Sequence, residues 1–243
     1  MIFGPLEKSR GVRVGWLGNT GQGKTFAMAW VIDEILDAGL EDAILIVDDK
    51  NDDAPWPGIR RANPGTLARN PPAEDDETTV VVYRGAAIDP ASTVDVNEVA
   101  EQAWEIARQP GEDDEGHPAV MIVVDEMRRA VSPSGREWRA PMVAKTLAEG
   151  RAAAGGISIM WGTQAPQRLT VEAFDQSMLC VFKLGHRGRS YLETANLISK
   201  QVSGVIAGLR EREFIVVDDA GDWNGLVYEV PYRRRRPPRD DEE

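Results

Sequence analysis

The chain has 243 residues, of which 42% are hydrophobic and 28% charged, so it is a globular protein long enough for one large α/β domain or at most two small ones. The single cysteine, Cys180, excludes a disulfide framework, and two histidines argue against a dedicated zinc site. No segment reaches the roughly 20 apolar residues of a membrane helix, and the N-terminus lacks the apolar core of a signal peptide. A cytoplasmic protein is therefore expected.

The net charge of −12 argues at first against a nucleic-acid partner. The charges are unevenly distributed, however. Residues 33–115 contain 22 acidic and 6 basic side chains, whereas residues 127–189 contain 10 basic and 4 acidic ones. The second segment is a candidate surface for a polyanion. The alternative is that folding interleaves the two segments and leaves no basic patch.

Apolar runs alternate with helical patterns along the chain. In chain order, the patterns predict a strand at 12–17, a helix at 25–38, strands at 43–47 and 78–83, a helix at 94–108, a strand at 119–124, a helix at 140–153 and strands at 157–161 and 178–182. Two further runs, 213–217 and 226–231, predict a terminal hairpin or edge strands. Residues 49–77 and 110–118 are rich in proline, glycine and acids, which is typical of loops.

This alternation indicates an α/β fold with a mainly parallel sheet, helices on both faces and antiparallel edge strands at the C-terminus. No internal boundary or repeat is visible. We therefore predict a single domain over residues 1–232, followed by a disordered charged tail at 233–243.

The clearest motif lies between the first predicted strand and the first predicted helix and fits G-x-x-x-x-G-K-[ST]. Its residues are Gly18, Asn19, Thr20, Gly21, Gln22, Gly23, Lys24 and Thr25. Glycines allow successive backbone N–H groups to point at phosphate oxygens, and the helix N-terminus adds positive potential. Lys24 would contact the β- and γ-phosphates and Thr25 would bind Mg²⁺. The alternative is a glycine-rich turn beside a solvated lysine.

Two acids and an amide follow later strands. Asp125 and Glu126 end the run 119–124, where Asp125 could hold Mg²⁺ through water and Glu126 could polarise an attacking water. Alternatively, the two acids only begin a helix. Gln164, at the end of the next strand, could hydrogen-bond the γ-phosphate and the attacking water, or it could be a polar strand end before Pro166.

Taken in order, these motifs resemble the FtsK/HerA superfamily of hexameric DNA-pumping ATPases, and FtsK/SpoIIIE-type motor domains most closely. The resemblance covers residues 12–217. Besides the phosphate loop and Val123-Val124-Asp125-Glu126, it rests on Glu149-Gly150-Arg151-Ala152-Ala153, Gly162-Thr163-Gln164-Ala165-Pro166 and Ile46-Val47-Asp48-Asp49-Lys50. The last segment departs from the family's Asp-Pro-Lys, and residues 154–156 contain one extra small residue.

The resemblance implies a RecA-like P-loop NTPase core, a homohexameric ring, and ATP hydrolysis with Mg²⁺ coupled to movement along double-stranded DNA. It makes Gln164 the sensor and Arg151 the candidate arginine finger acting across the subunit interface, with Arg187 and Arg189 as alternatives. Arg151 could instead be an arginine at a helix C-terminus. No flanking module is evident, so a compact motor for viral genome packaging or plasmid and conjugative transfer is expected. Such a motor would be cytoplasmic or virion-associated and would need a capsid, portal or membrane partner as an anchor.

DNA contact is expected from basic residues after the acid pair, through sequence-independent phosphate contacts. They are Arg128, Arg129, Arg136, Arg139 and Lys145. These residues could equally form salt bridges with the acidic segment. Trp138 could stack on a base, although a half-buried core position is the simpler interpretation. The tail arginines 233–236 could touch DNA or serve solubility.

Two other functions stay open from the sequence. A nucleotide-dependent assembly or partner-binding ATPase that never moves DNA would suit the acidic net charge. A small-molecule kinase is disfavoured, because no arginine-rich lid follows the core and Glu126 would be a liability beside a phosphoryl acceptor. A GTPase is also disfavoured, because the chain lacks an Asn-Lys-x-Asp motif.

Overall fold

The computed structural model describes residues 11–48, 56, 60–61, 78–84, 96–109, 117–131, 137–153, 156–218 and 221–231. Most of the predicted loops at 49–77 and 110–118 and the whole predicted tail at 233–243 lie outside these residues. The part of the first loop that is described includes a two-residue strand, which the composition of the segment did not predict.

Within the described residues, nine strands form one sheet in the order β3-β4-β2-β5-β6-β1-β7-β8-β9. The pairs from β3 to β7 are parallel, and β8 and β9 are antiparallel additions at one edge, as predicted. The strands are β1 (Arg13–Leu17), β2 (Ala43–Asp48), β3 (Arg60–Arg61), β4 (Thr79–Arg84), β5 (Val120–Val124), β6 (Ile157–Thr163), β7 (Met178–Phe182), β8 (Glu213–Val217) and β9 (Tyr228–Glu229).

The helices are α1 (Lys24–Asp37), α2 (Val96–Ile106), α3 (Pro141–Glu149), α4 (Val171–Asp175), α5 (His186–Thr194) and α6 (Lys200–Gly208), with short 3₁₀ turns at Met127–Ala130, Gly150–Ala152 and Pro166–Arg168. The first three helices match the predicted patterns. Gly39, with φ of 58°, follows the end of α1 and supplies the left-handed residue that stops it. None of the helices in the described part of the chain is long and apolar enough to cross a membrane.

The sheet separates two hydrophobic cores, which explains why the parallel strands are continuous apolar runs. Trp16 and Ile46 belong to the core on the α1 face, where α1 contributes Met28 and Ile32. Leu17 and the neighbouring strand residues on the other face pack against α2, α3, α5 and α6. The predicted arrangement of helices on both faces is therefore confirmed.

Strand β6 lies between β1 and β5, and its fit against β1 depends on a glycine. Gly15 pairs with Trp161, and a Cβ added to Gly15 would overlap the indole ring. The indole N–H donates to Ser177 Oγ at 3.0 Å. Because neighbouring strands are about 4.8 Å apart, the carboxyl ends of β1 and β5 lie roughly 10 Å apart with the end of β6 between them.

Candidate nucleotide site

The loop between β1 and α1 has a backbone that its glycines make possible. Gly21 and Gly23 have φ of 77° and 97°, a region that glycine enters without strain. Gly18 is needed for a different reason, because its Cβ would lie 2.7 Å from the Cβ of Phe182 on β7. The loop is anchored on both sides, with Gly18 N–H donating to Thr163 O and Asn19 N–H donating to Lys183 O.

Lys24 closes this loop from the inside. Its side chain is only 4% exposed, and Nζ donates to the carbonyl oxygens of Gly18 at 2.8 Å and Asn19 at 3.0 Å. Gly23 is the N-cap of α1, so no side chain caps the helix, and its first turn contains no acid. The ammonium and the positive end of α1 therefore face the same concave loop, which is an anion-binding arrangement.

The two predicted metal-binding residues are in direct contact. Thr25 Oγ1 donates to Asp125 Oδ1 at 2.8 Å, and Asp125 is fully buried at the end of β5. A hydroxyl and a carboxylate suit Mg²⁺, which usually keeps several waters and takes few protein ligands beside substrate phosphates. The described residues contain no group of three or more histidine, cysteine or acidic side chains that could hold a metal by themselves. The donor set thus fits an ion that a nucleotide brings with it.

Glu126, the second acid, is oriented by the neighbouring strand. Thr163 Oγ1 donates to Glu126 Oε1 at 2.9 Å and accepts the N–H of Ala165 at 3.2 Å. Gly162 allows this approach, because a Cβ there would lie 2.7 Å from the carbonyl oxygen of Asp125. Thr163 was not assigned a role from the sequence. Its position in the Gly-Thr-Gln segment after a strand was the available signal.

Gln164 contacts the phosphate loop directly. Its Oε1 accepts a hydrogen bond from Thr20 Oγ1 at 2.6 Å. The predicted sensor thus bridges the end of β6 and the loop, one residue beyond the threonine that holds Glu126. The structure brings together the predicted loop, the acid pair and this amide at the carboxyl edge of the sheet.

Arg151 lies at the opposite edge of the sheet. It is exposed in the turn Gly150–Ala152, and Nε donates to the carbonyl oxygen of Gly11, which precedes β1. Burial, followed by the positive charge of Arg151, lowers the pKa of the nearby Arg13 guanidinium. Arg151 is therefore separated by the length of β1 from the phosphate loop of its own chain.

The two alternative arginines differ in their contacts. Arg189 donates to the carbonyl oxygens of Leu184 and Ser203, so it joins α5 to α6. Arg187 is exposed in the first turn of α5. That helix begins beside the phosphate loop, since Gly185 N–H donates to Asn19 Oδ1 at 3.3 Å.

The predicted DNA-contacting residues do not form a single described surface. Arg128 and Arg139 are exposed, whereas the Lys145 ammonium lies 4.4 Å from the ring centroid of Trp104, a cation–π contact between α3 and α2. Arg136 and the side chain of Arg129 lie outside the described residues. Trp138 is half-buried and its indole N–H donates to Glu172 Oε2 at 2.9 Å, which is a packing position.

The segment that resembles Asp-Pro-Lys begins at the end of β2, next to β5. Asp48 is fully buried and accepts the indole N–H of Trp56 at 3.0 Å. Asp49 and Lys50 lie outside the described residues.

The chain matches no protein-family model and no curated protein sequence. Its fold, in contrast, matches solved structures over nearly its whole length. The genome packaging NTPase B204 of Sulfolobus turreted icosahedral virus 2, in complex with AMP, superposes with a TM-score of 0.67 at 16% identity, covering 91% of this chain and 99% of that one. The fold is that of a RecA-like P-loop nucleoside triphosphatase.

Two further solved structures share this fold. The bacterial conjugative coupling protein TrwB matches with a TM-score of 0.60 at 12% identity, over 95% of this chain and 88% of that one. VirB4 of Thermoanaerobacter pseudethanolicus matches with a TM-score of 0.55 at 11% identity, over 91% and 89%. The resemblance predicted from the motifs is thus confirmed at the level of the fold.

Proposed function

We propose that this chain is a Mg²⁺-dependent ATPase that works in a ring and pumps double-stranded DNA, in genome packaging or in plasmid or conjugative transfer. One observation carries the ATPase part of the proposal. A phosphate loop meets an acid pair whose first member contacts Thr25 and whose second member is held by Thr163. An acid in this position points to hydrolysis rather than to passive nucleotide binding.

The chain's own residues divide the work of hydrolysis. Lys24 and the N-terminus of α1 neutralise the β- and γ-phosphates, and Thr25 with Asp125 would hold Mg²⁺, which stabilises charge developing on the phosphates. Glu126 orients the attacking water and accepts a hydrogen bond from it, which polarises the O–H bond. Gln164 reports whether a γ-phosphate is present, because the same amide contacts the loop through Thr20.

The DNA part of the proposal draws on other observations. B204 is a genome packaging NTPase and TrwB a conjugative coupling protein, and this chain shares their fold. Arg128 follows the acid pair closely and is exposed, and Arg139 is exposed a few residues further on, so both are available for phosphate contacts. Arg151 would complete the site of an adjacent subunit from the opposite edge of the sheet. A capsid, portal or membrane partner would anchor the ring.

A second function is an assembly ATPase that binds a protein partner and does not move DNA. The net charge of −12 and the contact of Lys145 with Trp104 favour it. The two functions differ in their response to duplex DNA. A DNA motor gains turnover when DNA is added and loses that gain steeply with salt, because its phosphate contacts release counterions.

The test is steady-state ATP hydrolysis with and without duplex DNA over a range of salt. Lys24→Ala and Glu126→Gln should each lower turnover about 100-fold or more, the scale of a lost catalytic group. Lys200→Ala and Glu98→Gln alter exposed residues of α6 and α2 and serve as matched controls. Intact turnover in the first pair would refute the site. Turnover that ignores DNA at every salt concentration would favour the assembly ATPase.

A complementary experiment tests the ring. Electron microscopy with duplex DNA and a slowly hydrolysed ATP analogue reports stoichiometry and the DNA path together. A closed ring with DNA in its pore is expected. Monomers under these conditions would contradict the proposal.

A further inference from the structure

An aromatic side chain stands exposed beside the phosphate loop. Phe26 directly follows Thr25 in the first turn of α1 and is 50% exposed. Among the large hydrophobic side chains that are exposed in the described part of the chain, it is the aromatic one. The catalytic arrangement above does not use it. An aromatic face left open next to an anion-binding loop is a candidate surface for a flat ligand.

Arg212 lies against this ring and against the loop. Its guanidinium carbon is 5.8 Å from the ring centroid of Phe26, and its Cγ is 3.6 Å from the position that a Cβ on Gly23 would occupy. One terminal nitrogen donates to the carbonyl oxygen of Pro231 at 3.2 Å. Arg212 thus covers one side of the loop and holds its planar group beside the phenyl ring.

The backbone at Arg212 is in an uncommon conformation. Its φ is 66°, in the left-handed region that non-glycine residues rarely enter. The turn is held by Glu213 N–H donating to Arg210 O and by Val230 N–H donating to Arg212 O. Strain that the surrounding structure enforces in this way is found preferentially at ligand-binding sites.

The direction of a bound nucleotide follows from the sheet order. Asp125, Glu126 and Gln164 lie on the β5 and β6 side of β1, so the terminal phosphate must point to that side. The other end of the nucleotide then leaves the loop on the β7 and β8 side. Arg212 immediately precedes β8, and the carboxyl edge on this side is where it meets Phe26.

We propose that Phe26 and Arg212 form a platform on which the base of the nucleotide stacks; this inference rests on the proposed nucleotide-binding function. The phenyl ring supplies a flat apolar face and the guanidinium a cation–π partner. Stacking accepts any base, because every base has a π-face. The platform therefore recognises that a base is present, and the loop recognises the phosphates.

The test compares ATP with inorganic triphosphate, which fills the loop but has no base. Binding of both ligands to the full chain is measured by titration calorimetry with Mg²⁺. Phe26→Ala should weaken ATP binding about tenfold, the scale of one lost stacking contact, and leave triphosphate binding within about twofold. Phe26→Trp should restore ATP binding.

A second variant removes the guanidinium without adding backbone strain. Arg212→Gly suits the left-handed conformation and should weaken ATP binding about two- to fivefold more than triphosphate binding, because the loss of a positive charge beside the loop affects both ligands and the loss of the cation–π partner affects only ATP. Leu226→Ala is the control, because Leu226 is similarly exposed, at 56%, but comes after the end of β8, whereas Arg212 precedes its start. It should change neither affinity.

The two ligands also separate the possible failures. Equal weakening of ATP and triphosphate by Phe26→Ala, or no weakening of ATP, would overturn the platform and leave the nucleotide site standing. A wild-type chain that binds neither ligand would overturn the nucleotide function and the platform with it.

Discussion

Thr163 is the residue whose replacement tests the site most directly. It is fully buried at the end of β6, and its hydroxyl donates to Glu126 Oε1 at 2.9 Å. Thr163→Val keeps the shape of the side chain and removes the hydroxyl. Its backbone carbonyl, which accepts the N–H of Gly18, is unchanged, so the phosphate loop keeps its anchor.

The effect on catalysis follows from the hydrogen bond to Glu126. The hydroxyl also accepts the N–H of Ala165 at 3.2 Å, and the loss of that bond adds to the loss of stability. A hydrogen bond to a charged group contributes about 1.5–3 kcal/mol. If it serves to aim Glu126 at the attacking water, its loss raises the barrier by that amount and lowers kcat about 10- to 100-fold. KM for ATP should change by less than about threefold, because this hydrogen bond does not contribute to the binding of ATP in the ground state. The free energy of unfolding should fall by about 1.5–3 kcal/mol.

The assay is steady-state hydrolysis across a range of ATP concentrations, with Thr163→Ser as the matched control. Serine keeps the donor and should retain kcat within about threefold, since it loses only a methyl group. A valine variant with unchanged kcat would refute the positioning role. So would a serine variant that loses as much as valine, because the loss would then come from packing.

Three further predictions use other parts of the molecule. Gly162→Ala should lower the free energy of unfolding, measured by urea denaturation, by about 1–3 kcal/mol, because the added Cβ would lie 2.7 Å from Asp125 O. Gly204→Ala, whose added Cβ would meet no atom within 4 Å, should raise that free energy by about 0.5–1 kcal/mol. Arg151→Ala should abolish turnover alone and regain part of it when mixed with subunits that lack the P-loop lysine; failure of mixing to restore any activity would contradict a finger acting in trans. Burial raises the pKa of the Cys180 thiol, so the thiol stays protonated at pH 8 and a maleimide should label it only as the chain unfolds; fast labelling of the folded protein would contradict this burial.

Much of the fold could be predicted because buried parallel strands are continuous apolar runs. The strands at 178–182 and 213–217 were predicted with the bounds that the structure has. Helix α5 was missed for a physical reason. It buries only Gly188 and Leu192, so its sequence shows too little apolar periodicity to predict a helix.

The relative positions of the site residues were harder to predict. Strands with apolar side chains on both faces do not encode their register, because a shift of one residue exchanges one apolar set for another. The contact between Thr163 and Glu126 depends on that register, which pairs Val124 with Trp161. The position of Arg212 beside Gly23 depends on the antiparallel return of β8, and no local pattern in the sequence specifies it.

The two carbonyl contacts of Lys24 have a thermodynamic consequence. Because the ammonium already donates hydrogen bonds to two carbonyl oxygens of the loop, a nucleotide that binds there must replace these bonds with bonds to its phosphates. The loop is also ordered in advance, so binding costs little conformational entropy and the nucleotide can leave without unravelling the loop. The prior order of the loop raises the affinity for nucleotide, whereas the hydrogen bonds that Lys24 must give up lower it, so the two effects oppose each other. A protein that must exchange its nucleotide in every cycle needs this balance.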